Sequence, residues 1–64
     1  MQSVIFKQGD RVVAKSYNPS IWCEVVPGNT LTVEAYLPDY ELYKVIKDGY
    51  KFPVWMKESD LSPL

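Results

Sequence analysis

Hydrophobic and polar residues alternate with a period of two along most of the chain, the signature of strands that bury one face. The clearest run is Thr30 to Leu37, where Leu31, Val33, Ala35 and Leu37 alternate with Thr30, Thr32, Glu34 and Tyr36. That spacing predicts a half-buried strand with Tyr36 pointing outward. Arg11-Val12-Val13-Ala14-Lys15 is a shorter β run behind the Gly9-Asp10 turn signal, and Ile21 to Val26 is β-prone by residue type. Between them, Ser16-Tyr17-Asn18-Pro19-Ser20 is rich in turn formers and reads as a loop. Pro27-Gly28-Asn29 and Pro38-Asp39-Tyr40 punctuate either side of the central run.

Glu41 to Lys47 is the next predicted strand, and Asp48-Gly49 is a hairpin signal leading into Tyr50 to Met56. Pro53 has no N–H for a ladder, so this return strand belongs at an edge. Lys57-Glu58-Ser59-Asp60 suits one 3₁₀ turn before the terminal Leu61-Ser62-Pro63-Leu64. No window of ten residues offers a helical pattern free of Pro and Gly. Five short strands joined by tight turns describe an all-β domain, a small five-stranded antiparallel barrel whose closure limits exposed edges. The expected core is Val12, Ala14, Val25, Leu31, Val33, Ala35, Tyr43, Val45, Phe52, Val54, Met56 and Leu61.

Size sharpens this picture. Sixty-four residues make one domain, with residues 1–8 as an N-terminal segment and 9–64 as the barrel. Such a chain supports a thin core and about 3–5 kcal/mol of net stability. With a Pro53-interrupted edge and the apolar Val4-Ile5-Phe6 segment left over, self-association into a homodimer is expected; the alternative folds that segment across the chain's own open end. No apolar stretch reaches the ~20 residues that span a bilayer. The start lacks a signal-peptide pattern and there is one cysteine, so a cytoplasmic setting is expected.

The chemistry on offer is narrow. Seven Lys+Arg against eight Asp+Glu leave a net charge of −1, without the basic excess of a nucleic-acid domain. There is no His, so Ser/His/Asp chemistry is excluded and the commonest metal ligand is missing. Cys23 has no His to activate it and sits beside Glu24, which fits a small buried hydrophobe better than a thiolate nucleophile. Asp39 with Glu41, and Glu58 with Asp60, form carboxylate pairs that read as solvated loop charges, with Asp60 capping a turn. The three glycines are isolated, so no phosphate-cradling loop exists. No enzyme, cofactor or metal site is expected.

The order of the elements resembles the SH3-like barrels of bacterial and phage proteins. The resemblance rests on Gly9-Asp10-Arg11-Val12, Gly28-Asn29-Thr30-Leu31-Thr32-Val33, Tyr43-Lys44-Val45 running to Asp48-Gly49, and Asp60-Leu61. Phe6-Lys7-Gln8-Gly9-Asp10-Arg11-Val12, followed by Lys15-Ser16 and Trp22, is also similar to the start of the plasmid-borne type II dihydrofolate reductases. Those enzymes build one active pore from four chains, and Lys15 matches the family's pore lysine, so this resemblance implies an oligomeric reductase-like enzyme as an alternative function. The stretch Phe52-Pro53-Val54-Trp55 lacks the amide and hydroxyl of that family's ligand-binding segment. The first resemblance implies a phage- or mobile-element-encoded product that occupies a host protein.

The aromatics carry the binding expectation. Tyr17 lies in the first variable loop, Trp22 just after it, and Tyr40 in the next loop. Alternation puts Tyr36 outward, and Trp55 outward opposite Phe52, Val54 and Met56. Exposed Trp and Tyr are what binding surfaces are made of, so these five are the candidate partner-binding residues. Lys44, Lys47, Lys51 and Lys57 interleave with Tyr43, Tyr50 and Phe52, which makes single-stranded nucleic acid the alternative partner.

Overall fold

A computed structural model describes residues 6–19 and 23–64. The chain is all-β, with five strands: β1 (Arg11–Ala14), β2 (Thr30–Leu37), β3 (Leu42–Lys47), β4 (Pro53–Met56) and β5 (Leu61–Pro63). A single 3₁₀ turn, Glu58–Asp60, joins β4 to β5. All neighbours are antiparallel and form one sheet in the order β4-β3-β2-β1-β5. Among the described residues no helix is long and apolar enough to cross a membrane.

The sheet has two edges and is not closed into a barrel, which corrects the expected closure. The connection between β1 and β2 does part of the covering instead. It leaves and rejoins β1 through Gly28 N–H donating to Ala14 O and Ala14 N–H donating to Asn29 O, both at 2.9 Å. Its middle reaches the far edge, where Asn18 Nδ2 donates to the Trp55 backbone oxygen at 3.1 Å. Cys23 and Val25 from this connection are buried in the core. The edges also protect themselves: β4 opens on Pro53, and β5 is three residues long with Pro63 at its end. Proline removes a donor and short strands offer little template, so edge pairing between copies is disfavoured.

The expected strand over Ile21 to Val26 is not there in the described part. Val25 makes only an isolated bridge with Asn18, while Ile21 and Trp22 lie outside the described residues. The fifth strand comes from Leu61-Ser62-Pro63, whose local preference for strand is low. Its pairing is long-range: Leu61 stands opposite Ala14 and is buried, so tertiary contact outweighs propensity.

One face of the sheet carries the core. Val12, Leu31, Val33, Tyr43, Val45, Val54, Met56 and Leu61 are buried as the alternation requires. Phe6 joins them. Its ring meets that of Tyr43 edge-on, with centroids 5.4 Å apart and planes at 72°. Val4 and Ile5 lie outside the described residues. Phe52 was expected inside and is 51% exposed, because β4 begins only at Pro53 and the alternation does not reach it.

The decisive local event is in β2. Val33 pairs with Val45, but Ala35 pairs with Lys44, so Glu34 is an extra residue with no partner on β3. A bulge of this kind reverses which face each later side chain takes. Tyr36, opposite Tyr43, therefore turns toward the core, while Ala35 and Leu37 turn outward. The expectation of an outward Tyr36 and inward Ala35 and Leu37 is corrected accordingly.

Candidate functional site

The outer face of the β2–β3–β4 half gathers apolar side chains that, among the described residues, nothing covers completely. After the bulge, Leu37 stands directly opposite Leu42, and Lys44 stands opposite both Ala35 and Trp55. Leu37, Tyr40, Leu42 and Trp55 line an almost wholly apolar cleft of about 280 Å³. Trp55 is 46% exposed and Tyr40, in the turn between β2 and β3, is 73% exposed. Lys44 Nζ lies 6.0 Å from the Trp55 ring centroid, at the outer limit of a cation–π contact. The indole thus keeps an open face while its backbone is held by β3 and by Asn18.

Beside the cleft is a second concavity, of about 350 Å³, lined by Tyr36, Tyr40, Glu41, Lys57, Glu58 and Ser59. Tyr40 lines both and separates apolar from polar. Glu41 sits at φ 55°, a left-handed conformation that non-glycine residues seldom take, as the four-residue turn closes onto β3. Glu58 accepts a 3.2 Å hydrogen bond from the buried Tyr43 hydroxyl, which also accepts from Phe6 N–H at 3.4 Å. Tyr36 packs against the same ring, with centroids 4.8 Å apart. Asp60 caps its turn as expected, its carboxylate accepting from Lys57 N–H at 3.3 Å. Glu41 and Glu58, from different elements, thus line one concavity.

The five candidate residues divide. Trp55 and Tyr40 meet in the cleft, and Tyr36 and Tyr40 meet in the hollow. Tyr17 is exposed in its loop, lines neither, and donates its hydroxyl to the Glu24 carboxylate. That hydrogen bond, helped by slight desolvation and by the nearby negative charge, raises the Tyr17 pKa above the ordinary tyrosine value. Trp22 lies outside the described residues. Leu37 and Leu42 lie outside the five candidates but flank the Pro38 to Glu41 turn symmetrically. Antiparallel pairing puts such flanking residues opposite one another, so the signal was present once the turn was recognised.

A separate exposed group sits beyond the Asp48-Gly49 hairpin. Gly49 takes φ 84° there, the left-handed region that glycine enters without a Cβ penalty. Asp48 Oδ2 accepts from Arg11 at 2.5 Å and from Thr30 Oγ1 at 2.6 Å, anchoring the turn to β1 and β2. Tyr50 and Phe52 are both exposed after it. Lys47 Nζ is 4.7 Å from the Tyr50 ring centroid and donates to Glu24 O at 2.9 Å.

Among the described residues no three His, Cys, Asp or Glu side chains cluster as metal ligands would. Comparison with known protein families, with curated proteins and with solved structures finds no match to this chain.

Proposed function

We propose that this chain is a small non-enzymatic binding module of SH3-like architecture that engages a protein through the outer face of β2, β3 and β4. The observation that carries the reading is the apolar cleft of Leu37, Tyr40, Leu42 and Trp55. Large rings half exposed beside leucines, on a rigid sheet, are the material of contact hot spots. The blocked edges favour recognition by side chains over strand addition. The architecture draws support from the strand order, the long β1–β2 connection and the 3₁₀ turn before the last strand. In this reading the module acts by occupying its partner.

The test is selection of displayed peptides on the folded protein, followed by affinity measurement on variants. Trp55→Ala should weaken binding of the selected peptides by at least ~2 kcal/mol, about 30-fold. Unchanged binding by a folded Trp55→Ala would move the surface elsewhere, first to the Tyr17 loop. A second reading, single-stranded nucleic acid at the hairpin tip, is favoured by the exposure of Tyr50 and Phe52 near Lys51. It requires oligonucleotide binding that falls steeply with salt and is lost in Phe52→Ala.

A further inference from the structure

We infer that the hollow beside the cleft takes the guanidinium of an arginine side chain carried by the protein partner. This rests on reading the outer face as a protein-binding surface, and it adds the chemistry of one partner residue. The two concavities share Tyr40, so a chain seated in the apolar cleft lies next to the hollow.

Three features select a guanidinium. First, two phenol rings, Tyr36 and Tyr40, line the space, and a planar delocalised cation stacks on such rings. Second, Glu41 and Glu58 approach from different elements, the β2–β3 turn and the 3₁₀ turn, as a forked donor needs. The hydrogen bond from Tyr43 holds Glu58 through Oε1, and among the described residues Oε2 has no hydrogen bond. Third, the charge balance is right. Among the described residues the one ion pair is Arg11–Asp48, and neither Glu41 nor Glu58 has an ion-pair partner there. Residues 33–64 hold six Asp+Glu against four Lys. Lys57 on the rim opposes a cation, but it is exposed and has no ion pair among the described residues, leaving its ammonium able to move into water.

Titration of the ¹⁵N-labelled protein with butylguanidinium, and with its neutral analogue butylurea, tests the hollow without any protein partner. Butylguanidinium should shift the amides of Tyr40, Glu41, Glu58 and Ser59 saturably, binding about 5-fold tighter than butylurea. The double variant Glu41→Gln/Glu58→Gln should bring that ratio near one, while the amide oxygen it places at position 58 still offers Tyr43 an acceptor. Lys57→Ala should raise it about 2-fold, and Trp55→Ala should leave it unchanged. Equal binding of the two probes, shifts centred elsewhere, no saturable shift, or a ratio that survives in the double variant would each overturn the proposal. Peptides selected without a basic residue would also overturn it while leaving the protein-binding reading in place. A guanidinium-selective hollow in a protein that selects no peptide at all would do the reverse.

Discussion

Tyr43 and Trp55 sit on adjacent strands, one residue out of phase, and their fates are opposite. Tyr43 is 0% exposed, meets the rings of Phe6 and Tyr36, and has its hydroxyl tied to Phe6 N–H and Glu58. Trp55 is 46% exposed, and the hydrogen bond from Asn18 reaches only its backbone. One hairpin thus offers one large ring to stability and another to the surface. In a domain of this size the core cannot spare a ring of that area, and an exposed indole contributes little to folding. The inner face therefore reads as fold, and the outer face is the proposed contact surface.

The harshest way to break that contrast is Tyr43→Ala, expected to cost about 3–5 kcal/mol and to abolish the cooperative melt. Tyr43→Phe keeps the packing and should cost about 1 kcal/mol for the lost hydroxyl bonds, measured by urea denaturation. A folded, stable Tyr43→Ala would mean that the core lies elsewhere. Deleting Glu34 attacks the boundary between the faces. Without the extra residue, Val33 and Ala35 fall in step with Val45 and Lys44, so Tyr36 stays inward and Leu37 outward, and a cost of only about 1 kcal/mol is expected with the cleft kept. A deletion variant that unfolds or turns Tyr36 outward would mean that Glu34 is not the extra residue.

Trp55→Ala should cost only about 1 kcal/mol in stability, the range of ordinary substitutions, and leave the melt cooperative. A collapsed transition would place the indole in the core and merge the two faces. The smallest expected effect concerns Tyr17, which belongs to neither. The Glu24 carboxylate favours the protonated phenol, so Tyr17 should titrate above the ordinary value of about 10. Because the folded pKa is the higher one, this bond supports the fold below about pH 10 and is lost as pH rises through the folded value. Glu24→Ala should return the Tyr17 titration, followed by its ring carbon shifts, to about 10.

Alternation and turn chemistry made much of this molecule legible. The runs at Val12-Val13-Ala14, Thr30 to Val33, Tyr43-Lys44-Val45 and Val54-Trp55-Met56 each bury the side chains that a period of two selects. Asp48-Gly49 marked its hairpin, and Trp55 was placed outward by parity alone. These are local properties, set by side-chain size, backbone sterics and a two-residue repeat. The bulge at Glu34 was not local in that sense. Nothing in Thr-Val-Glu-Ala announces an unpaired residue, because a bulge exists only relative to the partner strand. Tyr36, Ala35 and Leu37 changed faces for that reason alone, and the cleft came into being with Leu37.

The hollow was decided in the same way, since Glu41 and Glu58 come to line one concavity only when their two turns are brought together by the fold. Strand β5 needed Ala14 across the sheet before Leu61-Ser62-Pro63 had reason to be extended. Local preference reached as far as strands, turns and the parity between them. Register, edge and the two concavities arose from contacts between residues distant in sequence, which no short window of the chain contains.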